Sequence, residues 1–414
     1  MLKEKSLQIS VIDKSIGILY AFILFLLMEP YFMWNTGKLS MYLSMIIILI
    51  TALYFRNLQK KDLIIIPLFI YCFIYMYSYT NLFGLIGKSA ILSILFLKES
   101  KVLYYLKLLK KIMAIVFFIS FITYILVIIL SLPIAHNLIS PLNALKGSAY
   151  TQYPFLLLEH SSNVKVLNIR FCSVFEEPGT VGSFAAMFLF ADNYKLKSKE
   201  NIIIFIAGLL SMSFFFYVCS FIYFLYLSKF RMKIIYTVII LSLFFGTRNN
   251  AAINYLIWDR FTIEDGKVKG DNRSSINLDE TYTDFLKSED VLWGRGTIFL
   301  ENNEFMNSSS YKMTIISYGI VFFVLYCLSF LLLAIFTIKI PKYIIAYFIL
   351  FIGMIYQRPG IIYYPAYIFV LIATIYSLKQ VAIKNKSKKY IISKLQFKKN
   401  DKTLKESIIV KSNI

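Results

Sequence analysis

Apolar runs of roughly 15 to 20 residues recur along this chain from residue 16 to residue 378, and almost nothing separates many of them. Runs of that length suit helices that face lipid or fill the interior of a helical bundle, so they restrict the fold more than any other feature. Of the 414 residues, 58% are apolar and 17% aromatic, well beyond the usual make-up of a water-soluble domain. The expectation is an all-α polytopic membrane protein. Candidate spans fall at 16–34, 39–55, 63–79, 82–97, 112–132, 178–192, 202–214, 215–228, 234–250, 313–338, 343–357 and 361–378. Residues 1–383 would form one transmembrane domain and 384–414 a basic tail.

A formal charge of +21 on a soluble chain would suggest a nucleic-acid partner. Here the placement of the cations reports topology instead, because loops rich in Lys and Arg stay in the cytoplasm. The stretch 202–228 is the ambiguous step. Lys195, Lys197 and Lys199 precede it, and Lys229, Arg231 and Lys233 follow it. Two short helices turning near Ser211–Ser213 keep both groups on one side. The count is then twelve spans with both termini cytoplasmic, and cytoplasmic segments hold 30 of the 44 basic residues. Two long segments, 133–177 and 251–310, lie outside, and chemistry or recognition has room only on that face. Within the second, a short helix is expected over Arg273–Lys287 and a turn at Trp293–Thr297. The run from Ser15 to Trp34 lacks a small-residue cleavage site and reads as the first span. Cys72, Cys172, Cys219 and Cys327 stand singly, without metal-ligand spacing, and read as small buried hydrophobes.

The polar stretch Arg170–Gly182 concentrates a cation, two carboxylates, a proline and two glycines between apolar blocks. Pro178 suits the first turn of a helix. The free N–H groups of that turn would favour an anion, with Arg170 adding charge and Gly179 and Gly182 allowing close backbone approach. A phosphate could dock there; equally, Glu176 and Glu177 could complement the helix dipole while Arg170 meets lipid headgroups. Arg248, Arg260, Arg273, Arg295 and Arg358 offer planar forks that fit phosphate, and each could also anchor at the interface. Arg295, between two glycines, is the best placed of them. Lys88, inside span 82–97, either snorkels outward or faces a polar cavity. His136 and His160 read as surface residues, and the tyrosines near 71–79 and 363–367 suit an interfacial belt or a sugar-stacking surface.

Taken in order, Arg170-x-x-Ser-x-Phe175-x-Glu177-Pro178, the serine turn at 211–213, a large outer loop with Arg260 and Arg273, Trp293-Gly294-Arg295-Gly296 and Ser317-Tyr318-Gly319-Ile320 resemble the O-antigen polymerases of bacterial polysaccharide synthesis. The resemblance covers about residues 165–330 in motif order and the whole chain in topology. It implies a membrane-embedded glycosyltransferase of the C type, free of metal and cofactor, in the bacterial cytoplasmic membrane. Its substrate would be an undecaprenyl-diphosphate-linked oligosaccharide at the outer face, and its partners membrane lipids and the pathway's chain-length regulator and flippase. Arg170, Arg273 and Arg295 would hold the donor diphosphate, with Arg260, Arg358, Lys88 and Gly179 as further substrate contacts. Glu177 would take the acceptor proton or pair structurally with Arg170. O-antigen ligases share this architecture but typically carry a histidine in the large loop, which residues 251–310 lack. A lipid-linked oligosaccharide flippase would show related halves and polarity around a central cavity, whereas polarity here gathers on one face.

Overall fold

The computed structural model describes residues 11–36, 38–77, 82–141, 149–160, 170–227, 233–234, 238, 263–264, 267–268, 275–302, 310–358, 360 and 364–387. It is helical to 75%. In chain order the helices are α1 (Val11–Leu26), α2 (Leu39–Leu53), α3 (Asp62–Tyr77), α4 (Leu82–Ile94), α5 (Glu99–Tyr124), α6 (Pro178–Ala191), α7 (Lys199–Leu210), α8 (Phe214–Ile222), α9 (Ile276–Phe285), α10 (Thr297–Asn302), α11 (Tyr311–Ile338), α12 (Pro341–Gln357) and α13 (Pro365–Ser387). A π-helical segment prolongs α5 to Ile129, and another prolongs α8 to Leu227.

Among the described residues, three helices are long and apolar enough to cross a membrane: Glu99–Ile129, Tyr311–Ile338 and Pro365–Ser387. The others are shorter. At about 1.5 Å per residue, α2, α3, α6 and α12 measure roughly 20 to 25 Å, less than a hydrocarbon core of about 30 Å. The described residues therefore form a mostly helical structure compatible with a membrane protein, with three helices of spanning length and several shorter apolar ones. Turn chemistry accounts for some of the shortening. The first apolar run breaks after Leu26, where Glu29 takes a left-handed conformation ahead of Pro30. The opposite correction applies to α5, which starts at Glu99 rather than residue 112. Its lysines mask an apolar stripe of Val102, Tyr105, Leu106, Leu109 and Met113, all buried at helical spacing. The expected span 234–250 lies almost wholly outside the described residues.

The turn expected at Ser211–Ser213 separates α7 from α8, with Met212 at positive φ. Contacts at the far ends establish an antiparallel pair. Asn201 at the start of α7 donates to Asp192 at 2.8 Å, and Tyr223 beyond α8 donates to the Asn193 carbonyl at 2.9 Å. Both partners lie at the C-terminal end of α6. The turn itself reaches the other end of α6, where any side chain at Gly182 would collide with Ser211 and Ser213.

The expected outer loop 133–177 is not simply a surface excursion. It contains a three-stranded antiparallel sheet, β1 (Asn137–Ile139), β2 (Ala149–Tyr153) and β3 (Leu156–His160), with Tyr153 opposite Leu156 across a tight turn. That turn lies against the apolar part of α5. Thr123 donates to the Pro154 carbonyl at 2.9 Å, and Ser120 bonds both the Phe155 carbonyl, at 2.5 Å, and Ser173 Oγ, at 2.7 Å. Ser120 is about 15 Å along the helix from Lys110, which pairs with Asp192. Irregular backbone in so apolar a setting must satisfy its polar groups within the protein. It does so: Leu157 N–H reaches the Ser173 carbonyl (2.7 Å), Tyr31 N–H the Val174 carbonyl (2.9 Å) and Phe171 N–H the Leu210 carbonyl (3.0 Å). Phe171, Ser173, Val174 and Phe175 are buried as a result.

Candidate functional site

Glu177 caps α6 by position but makes no side-chain bond to the helix's own N–H groups. Its carboxylate points elsewhere. Arg358 follows the last residue of α12, held by its own N–H on the Met354 carbonyl at 2.7 Å, and its Nη2 lies 2.5 Å from Glu177 Oε2. The guanidinium covers the first turn of α6 so closely that a Cβ on Gly179 would stand 2.7 Å from Nη2. Gly179 is thus the residue that admits the cation, as its lack of a side chain allows. Among the described residues, Arg358 Nε is buried without a hydrogen-bond partner.

Three more groups complete the cluster. Tyr367, on the first turn of α13, lies near Thr180 of α6 and stacks on Phe184 at a centroid distance of 4.3 Å. Tyr364, just before α13, has its hydroxyl near Glu29 in the turn after α1, and Glu176 lies close enough for its charge to reach Glu29. Burial, aided by Glu176 and only partly offset by the Tyr364 hydroxyl, holds the Glu29 carboxyl above its ordinary value. Burial works against the charge on Arg358, but Glu177, Tyr367 and Glu176 outweigh it and leave the guanidinium above its ordinary value. Four chain segments therefore converge on one place: 29, 176–180, 357–358 and 364–367. Together they present a permanent cation at a helix N-terminus, a carboxyl with heightened proton affinity and two phenol hydroxyls. Such a set can neutralise an anionic group and receive a proton beside it.

The expected site residues divide. Glu177, Gly179 and Arg358 meet. The alternative pairing of Glu177 with Arg170 gives way to the pair with Arg358, since Arg170 turns toward the α7–α8 turn and its Nε donates to the Ser211 carbonyl at 3.3 Å. Lys88 is buried, and its Nζ donates to the Met76 carbonyl at 2.8 Å. That contact serves the end of α3, where carbonyls lack intrahelical partners. Arg248, Arg260 and Arg273 lie outside the described residues, so the phosphate-binding role expected of the last two has no geometry here.

Arg295 belongs to a second cluster. The turn expected at Trp293–Thr297 is present, with Gly294 and Gly296 both at φ +82°. It inserts into a break in α11 at Gly319, whose φ of 80° and ψ of 167° are open to glycine alone. Hydrogen bonds are exchanged across the break. Arg295 N–H takes the Ile316 carbonyl (2.7 Å), Gly296 N–H the Ser317 carbonyl (3.0 Å), and Val321 N–H the Leu292 carbonyl (3.3 Å). The Arg295 side chain then pairs with Asp290 at 3.1 Å and lies over Phe285 and Phe299, with its guanidinium carbon 5.5 and 5.0 Å from their ring centres. Tyr75 of α3 donates to the Trp293 carbonyl and ties the turn to the bundle. The short helix expected before it appears as α9.

Glu29 was not singled out from the sequence, whereas Tyr364 and Tyr367 belong to the tyrosine cluster near 363–367 read there as an interfacial belt or a sugar-stacking surface. The legible signal was the Met28-Glu29-Pro30 break inside an otherwise apolar run, a carboxylate where membrane sequences rarely carry one. No protein-family model, curated protein or solved structure matches this chain.

Proposed function

We propose that this protein is a membrane-embedded glycosyltransferase that polymerises a surface polysaccharide from polyprenyl-diphosphate-linked repeats, with the reaction centred on Glu177 and Arg358. The observation that carries the reading is the Arg358 guanidinium laid over the N-terminus of α6 and paired with Glu177, with Tyr364 within reach of both Arg358 and Glu29. A diphosphate leaving group needs positive charge placed before the bond breaks, and a guanidinium with a helix N-terminus supplies it.

In the proposed step an acceptor hydroxyl oxygen bonds to the donor's anomeric carbon as the bond from that carbon to the diphosphate oxygen breaks. The electron pair leaves with the polyprenyl diphosphate, and the hydroxyl proton passes to a carboxylate. Glu29 suits that role better than Glu177, because its environment favours the proton while Glu177 is committed to Arg358. Arg170, whose Nε donates to the Ser211 carbonyl, would meet the outer part of the substrate in this scheme. The twelve-span topology, cytoplasmic termini and outward-facing site belong to this proposal.

The test compares surface polysaccharide from cells lacking the protein with cells carrying it or Arg358→Ala at equal membrane level. Loss of the ladder with a single repeat still on its acceptor is the expected result, since export and ligation continue. An unchanged ladder from both Arg358→Ala and Glu177→Ala would remove this centre from the reaction.

A further inference from the structure

At the end of the bundle opposite the Glu177 cluster, a cavity of about 350 Å³ opens among Arg56, Lys61, Lys98, Glu99, Tyr376 and Lys379. The α2–α3 and α4–α5 connections build it, joined by bonds from Arg56 N–H to the Phe96 carbonyl (2.8 Å) and from Lys98 N–H to the Tyr54 carbonyl (3.1 Å). Two of its cations are anchored. Arg56 makes a two-pronged pair with Asp62 (2.6 and 2.8 Å) and donates through Nε to the Leu95 carbonyl at 2.8 Å. Lys379 pairs with Glu99 at 2.6 Å. With those two carboxylates engaged, Lys61 and Lys98 stand as surplus positive charge on the wall.

Burial is the main cause that holds the Lys61 ammonium below the ordinary lysine value; Asp62 pulls it back up, and Arg56 and Lys379 add to the lowering. Its Nζ contact is a neutral one, Thr337 Oγ1 at 3.3 Å. Like charges held this close destabilise one another until an anion enters. The surroundings are apolar: Phe55 on the wall is exposed, and the exposed Leu53, Leu58, Leu63 and Ile64 lie in or next to the lining segment 55–61 in sequence. A cationic recess in apolar surroundings matches an amphiphile with an anionic head.

We propose that this cavity binds a phosphate-bearing anion, with the headgroup of an anionic phospholipid as the source the apolar surroundings favour. The site is independent of the glycosyl-transfer reading and stands or falls without it. The head would sit between Lys61 and Lys98, with Phe55 and Tyr376 against its glycerol.

The test is native mass spectrometry of the purified full-length protein from micelles mixing phosphatidylglycerol with phosphatidylcholine. Preferential retention of phosphatidylglycerol is expected, reduced on the order of tenfold by Lys61→Gln with Lys98→Gln, at about 1 kcal/mol per lysine near a membrane surface. Lys195→Gln, an exposed cation elsewhere, should leave it unchanged. Displacement of the lipid by millimolar inorganic phosphate, with the same dependence on the two lysines, would keep the phosphate site and make the free ion its source. Equal retention of both lipids, or a preference that survives the double substitution, would overturn the proposal. Lys98→Gln alone guards against misfolding, since Lys98 is exposed and its side chain makes no cap bond to α5.

Discussion

Arg358 and Glu177, far apart in sequence, meet at 2.5 Å over the first turn of α6. The pair ties the end of α12 to the start of α6, so it is both a strut and the most concentrated charge in the candidate site. Removing one partner of a buried pair costs about 3 to 5 kcal/mol, and partial exposure of both side chains scales that down to roughly 1 to 2 kcal/mol here. Glu177→Gln and Arg358→Lys should therefore still fold. If Arg358 stabilises a leaving diphosphate, Arg358→Lys should nonetheless lower turnover on the order of a hundredfold, because an ammonium lacks the two-pronged fork. Thermal unfolding in detergent beside an in vitro polymerisation assay separates these effects; equal loss in both would mark the pair as a strut alone.

Gly179→Ala tests the same geometry without touching a charge. Alanine inside a helix is favoured over glycine by roughly 0.5 to 1 kcal/mol, so stability should hold or rise slightly. The added methyl would stand 2.7 Å from Arg358 Nη2, and a flexible guanidinium is what would move. Polymer yield should fall with the melting temperature unchanged. Gly360→Ala, where a Cβ meets nothing within 4 Å, is the matched control and should retain full activity.

How far the sequence reached depends on whether a feature is local. Pro178 opened α6 as expected because a proline at the first helical position needs no partner elsewhere. The Ser211–Ser213 turn followed from the lysines on either side of it, and the turn around Arg295 from its two glycines. Glu177's partner was not legible, since it depends on where the end of α12 falls over the first turn of α6, and the resemblance of motif order says nothing of that. The sheet at 137–160 was missed because its strands are three to five residues long, too short for alternation to show. Helix lengths differ from the expected runs because hydropathy measures apolar character and does not register where a turn cuts the run.

Gly319→Ala should be far more damaging than any substitution at the charged pair. A side chain there pays the strain of a glycine-only conformation, about 1 to 3 kcal/mol, and its Cβ would stand 2.7 Å from the Trp293 carbonyl carbon. Backbone, unlike a guanidinium tip, cannot step aside. The turn bearing Arg295 should be expelled from the break in α11, which would free the Ile316 and Ser317 carbonyls. The change is readable as a shift in Trp293 emission and as rapid proteolysis between residues 286 and 297. An unaltered digestion pattern would mean the break tolerates a side chain.

Glu29 provides a pH test with a defined sign. Its carboxyl binds a proton more tightly in the folded protein than in the unfolded chain, because burial, joined by Glu176, disfavours the charge. The folded state therefore holds more protons, and its stability falls as pH rises from the ordinary glutamate value through the raised one. Glu29→Gln keeps an acceptor for the Tyr364 hydroxyl and removes the charge. It should match wild type near pH 3, below the ordinary glutamate value, where the carboxyl is protonated in both states, and exceed it at pH 7. Chemical denaturation across that window checks the first half of the argument. Activity checks the second: if Glu29 receives the acceptor proton, Glu29→Gln will be the more stable protein at pH 7 and the slower enzyme by roughly a hundredfold or more, a combination that a purely structural carboxylate does not produce.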